Sequence, residues 1–361
     1  MAATMKENVD LGFLEKTTPN FLLSHQFPSK VGSKPAWLSL SPLPTPEELT
    51  CSICGKPCVF LLQIYAPDSE NYSCFHRTVF VFICKDPLCS QKNDRKSFRV
   101  LRSQLPKVND FYSQEPPLED EAADDDCAAY PNAAGHQNLC IICGCHGPKT
   151  CAKCRKVHYC GKDHQTVHWK SGHKTTCGQE GNGQTVVASY LFPEFEVVME
   201  TEQYKEVAIK EKSEEEKMKE YEKFMAGQVG KSTMTGKEVD SDLMKMAFNE
   251  EQEDKAFKRF KKRIEPEPEQ VLRYNRGGDP LWVSNENIPS QEDIPKCDCG
   301  ATRTFEFQVL PQLLNHLDVT SVGDSIDWGT LLIYTCSANC DIKNDYHPEF
   351  LWKQDFSADE A

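Results

Sequence analysis

Two apolar runs, Leu61–Tyr65, interrupted by Gln63, and Val79–Ile83, dominate the first third of the chain. Both are β-branched or aromatic and lie between turn-forming residues, a pattern that predicts buried strands. From Phe27 to Tyr112 such runs alternate with turns. Between Glu115 and Ala134 the chain becomes acidic and small, with Pro116, Pro117 and the run Asp124–Asp126, and reads as a linker. A Gly-rich exit, Gly178–Gly183, follows a cysteine-dense segment. Glu and Lys then dominate Glu200–Glu269. Within it Glu211–Phe224 has no wide apolar stripe and reads as a solvated helix or disorder. Ser241–Ile264 is a better helix: Ser241 is placed to cap it, Phe257, Phe260 and Ile264 share one face, and Pro266 and Pro268 end it.

The last hundred residues repeat the first. GSKPAWL (Gly32–Leu38) matches GGDPLWV (Gly277–Val283), so that Trp37 and Trp282 stand 245 residues apart. The same offset relates Pro44 to Pro289, Cys54-Gly55 to Cys299-Gly300, Phe60 to Phe305, and Gln63 to Gln308. It drifts to 252 where Phe82-x-Cys84 meets Tyr334-x-Cys336. Two copies at so long a period predict a pseudo-symmetric pair of β units rather than a solenoid. The expected fold is mostly β (α+β), a duplicated β domain formed by the two halves around insertions. The expected segments are residues 1–114 (first β repeat), 115–138 (acidic linker), 139–178 (a small finger), 179–264 (acidic linker and helices) and 265–361 (second β repeat).

Composition changes the picture in two respects, through 18 cysteines and a net charge of −14 over 361 residues. The start, MAATMKENVDLGFLEK, lacks the apolar core of a signal peptide, and no apolar run is long enough to span a bilayer. Reduced, metal-bound thiols are therefore expected in place of disulfides, and no membrane partner. The acidic surface disfavours nucleic acid and favours basic partners.

Between residues 140 and 177, eight ligand-type side chains fall in pairs: Cys140 and Cys143, Cys151 and Cys154, Cys160 and His164, His173 and Cys177. Eight ligands fill two tetrahedral zinc sites and leave no position open for water or substrate, so the expected product is a binding surface. Seven Lys/Arg, one Asp, six thiolates and two zinc ions leave this segment at about +4, a basic finger on an acidic protein. Each repeat carries two further pairs: Cys51 and Cys54 with Cys84 and Cys89, and Cys297 and Cys299 with Cys336 and Cys340. At the ends of strand pairs these read either as zinc clamps or as buried reduced thiols, so between two and four zinc ions are expected. His76 is a reserve ligand or a structural histidine. Cys58, Cys74 and Cys127 lack partners at ligand spacing, and Cys145 and His146 read as loop residues. No Gly-rich phosphate loop, Ser/His/Asp arrangement or open three-ligand metal site is evident, so no enzymatic activity is expected.

The finger's pattern, C-x2-C, C-x2-C, Y-C and W-x3-H-x3-C, resembles the MYND zinc finger. That resemblance implies interleaved sites, one of Cys140, Cys143, Cys160 and His164 and one of Cys151, Cys154, His173 and Cys177. The sixth ligand is usually Cys in that family and is His164 here, with His168 as a substitute. The resemblance also gives Tyr159 and Trp169 two roles, packing over the zinc core or forming a shelf for Pro-rich peptides or corepressors. Together with the duplicated halves, the phrases QFPSKVGSKPAWL, QLPKVNDFYS, EPEQVLRY and IDWGTLLIYTC resemble the programmed cell death protein 2 family from about Gly12 to Phe356. That second resemblance implies a non-catalytic protein of nucleus and cytoplasm. It further implies a dedicated chaperone of a basic small-subunit ribosomal protein, with links to proliferation, cell death and transcriptional corepressors. The alternative is a nuclear adaptor or DNA-binding zinc regulator.

Overall fold

The apolar runs become strands that are covered on both faces. In the computed structural model, which describes residues 8–116, 130–178, 190–203, 255–319 and 325–356, the chain begins with β1 (Asp10–Glu15) and β2 (Lys30–Val31). β3 (Val59–Tyr65), β4 (His76–Ile83) and β5 (Phe98–Leu105) complete the first half. The finger contributes β6 (Lys149–Thr150), β7 (His158–Tyr159), α1 (Lys162–His168) and α2 (Lys174–Thr176). β8 (Phe195–Thr201) and α3 (Lys255–Ile264) follow, and then β9 (Leu272–Tyr274), β10 (Arg303–Val309) and β11 (Thr330–Cys336). β12 (Tyr346–Pro348) and β13 (Phe350–Gln354) end the second half. All of β4 and β11 is buried, which accounts for sequences without polar alternation.

Eleven strands make one sheet in the order β12-β5-β4-β3-β2-β8-β1-β9-β10-β11-β13, and every pairing is antiparallel. The sheet nearly closes on itself. β12 pairs with β5, the Glu349 N–H donates to Val100 O at 2.9 Å, and β13 then pairs with β11, so one short segment joins the two outer edges. Near-closure protects backbone edges that would otherwise invite aggregation.

The duplication is geometric as well as sequential. Ala36 N–H donates to Gln63 Oε1 at 2.9 Å while Gln63 Nε2 donates to Ala36 O at 3.1 Å. Leu281 and Gln308 repeat that clasp at 2.7 and 3.0 Å. The β3–β4 register slips between Phe60 and Leu62, and the β10–β11 register slips at the matching place, between Phe305 and Phe307. A bulge re-aims one side chain. At the matched positions the first half has Leu61 and the second has Glu306, both fully buried.

Three features depart from the sequence expectation. The segment 179–264, expected as linker and helices, contributes β8, which lies mid-sheet between β1 and β2. Its sequence FEVVMET is half exposed and flanked by acidic residues, so its apolar signal is weak. The end of the 115–138 linker packs against the body, where Tyr130 stacks on His25 at 4.1 Å and Ala133 is buried. Of the expected helix Ser241–Ile264, α3 is the described part. Phe260 and Ile264 bury against Val283 and Leu310, and Phe257 meets the edge of Phe356. Residues 241–254, the Glu211–Phe224 segment and Cys127 lie outside the described residues.

Candidate metal centres

Each C-x2-C pair closes a tight turn. The Gly144 N–H returns to Cys140 O at 2.9 Å, Arg155 to Cys151 O at 2.9 Å and Gly55 to Cys51 O at 3.0 Å. The shorter Cys297-x-Cys299 pair closes the same way, with the Gly300 N–H on Cys297 O at 2.8 Å. Gly144, Gly55 and Gly300 have φ of 70°, 72° and 88°, which Gly adopts freely, and Arg155 has φ of 56°. These turns aim two thiols and several backbone N–H groups at one point.

The chain brings the expected ligands together in four groups: Cys51, Cys54, Cys84, Cys89; Cys140, Cys143, Cys160, His164; Cys151, Cys154, His173, Cys177; and Cys297, Cys299, Cys336, Cys340. Within each group the donor atoms lie within 4.8 Å of one another. The finger groups interleave. α1, started after Gly161, sets His164 Nδ1 at 3.0 Å from Cys160 Sγ and 3.6 Å from Cys140 Sγ. A π turn over Trp169–His173, with Gly172 at φ 130°, swings His173 Nε2 to 3.6 Å from Cys154 Sγ.

The spacings fit a tetrahedral metal. With Zn–S near 2.3 Å, the edge of an S4 tetrahedron is about 3.8 Å. The Sγ–Sγ distances are 3.6 Å for Cys54–Cys84, 3.9 Å for Cys143–Cys160 and for Cys151–Cys177, 3.7 Å for Cys297–Cys340 and 3.6 Å for Cys299–Cys336. A disulfide requires about 2.05 Å. Soft thiolates with imidazole make a donor set suited to zinc. In the second-half group the Ala301 N–H beside Cys299 draws that thiol down to about 7, while burial pushes Cys297 up and Cys340 up to about 12.

Several reserve residues are used elsewhere. His168 Nδ1 meets the Tyr159 hydroxyl at 2.9 Å, and its ring stacks on His173 at 4.5 Å. His76 sits at the end of β4 away from Cys84, hydrogen-bonded to the Tyr65 hydroxyl at 2.9 Å. The thiols of Cys58, Cys74 and Cys145 face the backbone oxygens of Ser97, Asn339 and Cys143. His146 is half-buried and belongs to none of the four groups. Two residues absent from the sequence expectation touch ligands. His347 Nε2 lies 3.3 Å from Cys297 Sγ, and Arg102 Nη2 donates to Cys340 Sγ at 3.4 Å. His347 is 50 residues from Cys297, and Arg102 is 238 residues from Cys340, so no local pattern marks them.

The finger is seated on the first half. Trp37 Nε1 donates to Gly144 O at 2.9 Å, and Cys140, Ile142, Cys143, Cys145 and Tyr159 share one apolar core with Trp37, Phe60 and Phe82. Its basic side chains, Lys149, Lys153, Arg155, Lys156, Lys162, Lys170 and Lys174, all face solvent, while Trp169 is half-buried beside His173.

Family models match this architecture piece by piece: the N-terminal domain of programmed cell death protein 2 over residues 8–119, the MYND finger over 140–177, and the C-terminal domain of programmed cell death protein 2 over 254–355. The chain is similar to programmed cell death protein 2 of Mus musculus, 47% identical over 357 residues that cover 98% of each chain. It is likewise similar to that of Rattus norvegicus, 46% identical over 357 residues and 98% of each chain. A Schizosaccharomyces pombe protein named probable 20S rRNA accumulation protein 4 is 33% identical over 98 residues, 24% of each chain. No solved structure matches. Duplicated halves, the finger between them and near-full-length identity agree: the chain belongs to the programmed cell death protein 2 family.

Proposed function

We propose that this protein is a non-enzymatic, zinc-binding interaction factor that escorts a newly made basic protein of the small ribosomal subunit, working in nucleus and cytoplasm. The observation that carries this reading is the similarity to a fission-yeast protein named for 20S rRNA accumulation. Charge supports it. At −14 the chain is suited to neutralise a basic client that would otherwise aggregate with nucleic acid. Capture of the protein from cells lysed during translation is expected to recover a small-subunit ribosomal protein. Recovery of corepressors or chromatin alone would overturn the escort role.

Zinc is proposed at all four ligand groups, two ions in the finger and one in each half. Native mass spectrometry is expected to give four ions per chain, whereas two would confine metal to the finger. A second reading, a nuclear adaptor, draws on the exposed basic face of the finger and the half-buried Trp169. There the ligand is a Pro-rich peptide or corepressor, and nucleic acid remains disfavoured. Titration of the full chain with a Pro-rich peptide and with duplex DNA across salt separates the two: salt-sensitive DNA binding would favour a regulator of DNA over both protein-binding roles.

A further inference from the structure

The four-cysteine groups of the two halves do more than close their own loops. Each sits at the root of a loop that crosses onto the other half at the line where the sheet closes. The second-half loop, residues 336–350, lays β12 along β5 of the first half, with His347 opposite Arg102. At its ligand end, Arg102 donates to Cys340 Sγ at 3.4 Å and to Cys340 O at 3.3 Å, and Gln104 Nε2 donates to Cys340 O at 3.0 Å. The neighbouring Asn339 binds Asp68 Oδ2 at 3.0 Å and accepts from the Cys74 thiol at 3.6 Å. Arg102 also pairs with Glu349 at 2.7 Å, and Glu349 accepts from the N–H of a second ligand, Cys336, at 3.2 Å.

The first-half loop, residues 84–98, mirrors this. Just past Cys89, Ser90 exchanges hydrogen bonds with the backbone of Asp327 at 3.0 and 3.2 Å. Lys353 of β13, buried, donates to Gln91 O at 2.9 Å, as Arg102 of β5 donates to Cys340 O. Asp355 N–H donates to Asn93 Oδ1 at 2.8 Å, and the Arg95 guanidinium lies 4.5 Å over the Phe350 ring. In both halves a buried cation on the outermost long strand holds the backbone of the partner half's ligand loop.

We propose that metal bound by Cys51, Cys54, Cys84 and Cys89 and by Cys297, Cys299, Cys336 and Cys340 latches the sheet closed, each site securing the loop that covers the opposite half's edge. This rests on the assignment of both groups as metal sites. Four thiolates around a divalent ion leave a net −2, and at the second-half site the Arg102 hydrogen bond to Cys340 Sγ stabilises part of that charge, so metal retention and closure are coupled through it. A loop without its metal root loses its fixed conformation, and the strand beneath it becomes an open edge.

The test uses full-length, zinc-loaded protein and its variants Cys299→Ser and Cys54→Ser, each removing one solvent-exposed ligand with little change in packing. Native mass spectrometry counts zinc, and hydrogen exchange reads the strands. The expected pattern is crossed: Cys299→Ser speeds exchange in β5, and Cys54→Ser speeds it in β13. Exchange that speeds only within the half carrying the substitution overturns the latch while leaving the metal sites standing. An unchanged zinc count in both variants removes the metal assignment and the latch with it. Arg102→Met keeps every ligand, and Glu349 keeps Arg303 at 2.8 Å. It is expected to release one zinc ion to a chromogenic chelator about tenfold faster, the others unchanged. Release at the wild-type rate would sink the coupling through Arg102.

Discussion

Arg77 of β4 forks its guanidinium onto the carboxylate of Glu306 in β10, joining the two halves through a fully buried ion pair. Nη2 lies 2.7 Å from Oε2, and the hydroxyls of Tyr274 and Thr335 also donate to the carboxylate. Burial alone pushes the Glu306 carboxyl up, yet Arg77, with the Thr335 hydroxyl and Arg276 at 3.7 Å, more than offsets it and holds the group below the usual carboxylate range. The bulge that turns residue 306 inward puts this charge where the first half has Leu61.

Breaking that pair strands a buried charge. Arg77→Met or Glu306→Gln is expected to cost about 3–5 kcal/mol in urea unfolding. The double change Arg77→Met with Glu306→Leu is expected to cost much less than the sum. Additive losses would show that the pair is not a coupled unit.

The two repeat glycines are predicted to respond unequally. Gly32 has φ of 73°, and a Cβ there would lie 1.8 Å from Pro193 O, whereas Gly277, φ 83°, has open space around it. Gly277→Ala should cost only the backbone strain, about 1 kcal/mol. Gly32→Ala must also displace the approach to β8 and should lower the melting temperature several times further. Equal shifts would contradict the close approach at Pro193.

Removal of the finger's ligands tests whether it is a detachable insert. The sequence leads to the expectation that Cys140→Ala with Cys151→Ala unfolds only residues 139–178. The shared core and the Trp37–Gly144 hydrogen bond predict instead that the double variant also loosens β3 and β4. Trp37→Phe should cost about 1 kcal/mol for the lost hydrogen bond, plus lost contact, and should speed exchange in both finger and first half. Protection lost in the finger alone would restore the picture of an independent insert.

His76 supplies a pH dependence. Buried against Phe27, whose ring lies 4.2 Å away, it is pushed by desolvation from the usual 6.5 to about 4. Its folded pKa is depressed, so the stability from keeping it neutral is complete above pH 6.5 and is lost as pH falls towards 4. His76→Phe should flatten the fall in melting temperature across that window. Acid release of any bound metal would be common to both proteins, so the difference between them isolates His76; parallel curves would remove it as the cause.

The legible parts of the sequence were those with strong local signals. β3, β4 and the ligand pairs are marked by strongly apolar runs and by close Cys/His spacing, and the 245-residue offset gives the duplication that the matched bulges and Gln63/Gln308 clasps display in space. β8 escaped because four acids, Glu194, Glu196, Glu200 and Glu202, around a short apolar run look like linker until β1 and β2 are beside it. Arg102, Glu306 and His347 escaped because nothing nearby in sequence hints at a partner more than two hundred residues away or on a crossing loop.

Chemistry carried by spacing was therefore legible in the chain itself: which ligand-type side chains fall in pairs, that two halves repeat, and that a basic finger sits in an acidic protein; how the pairs combine into groups came from the MYND resemblance and from the fold. Tertiary structure alone decided that the halves form one nearly closed sheet, that the finger packs into the first half's core, and that charge pairs bridge the closing line. Those outcomes depend on which strand edges meet, and long-range pairing leaves no periodic trace in the residues that take part.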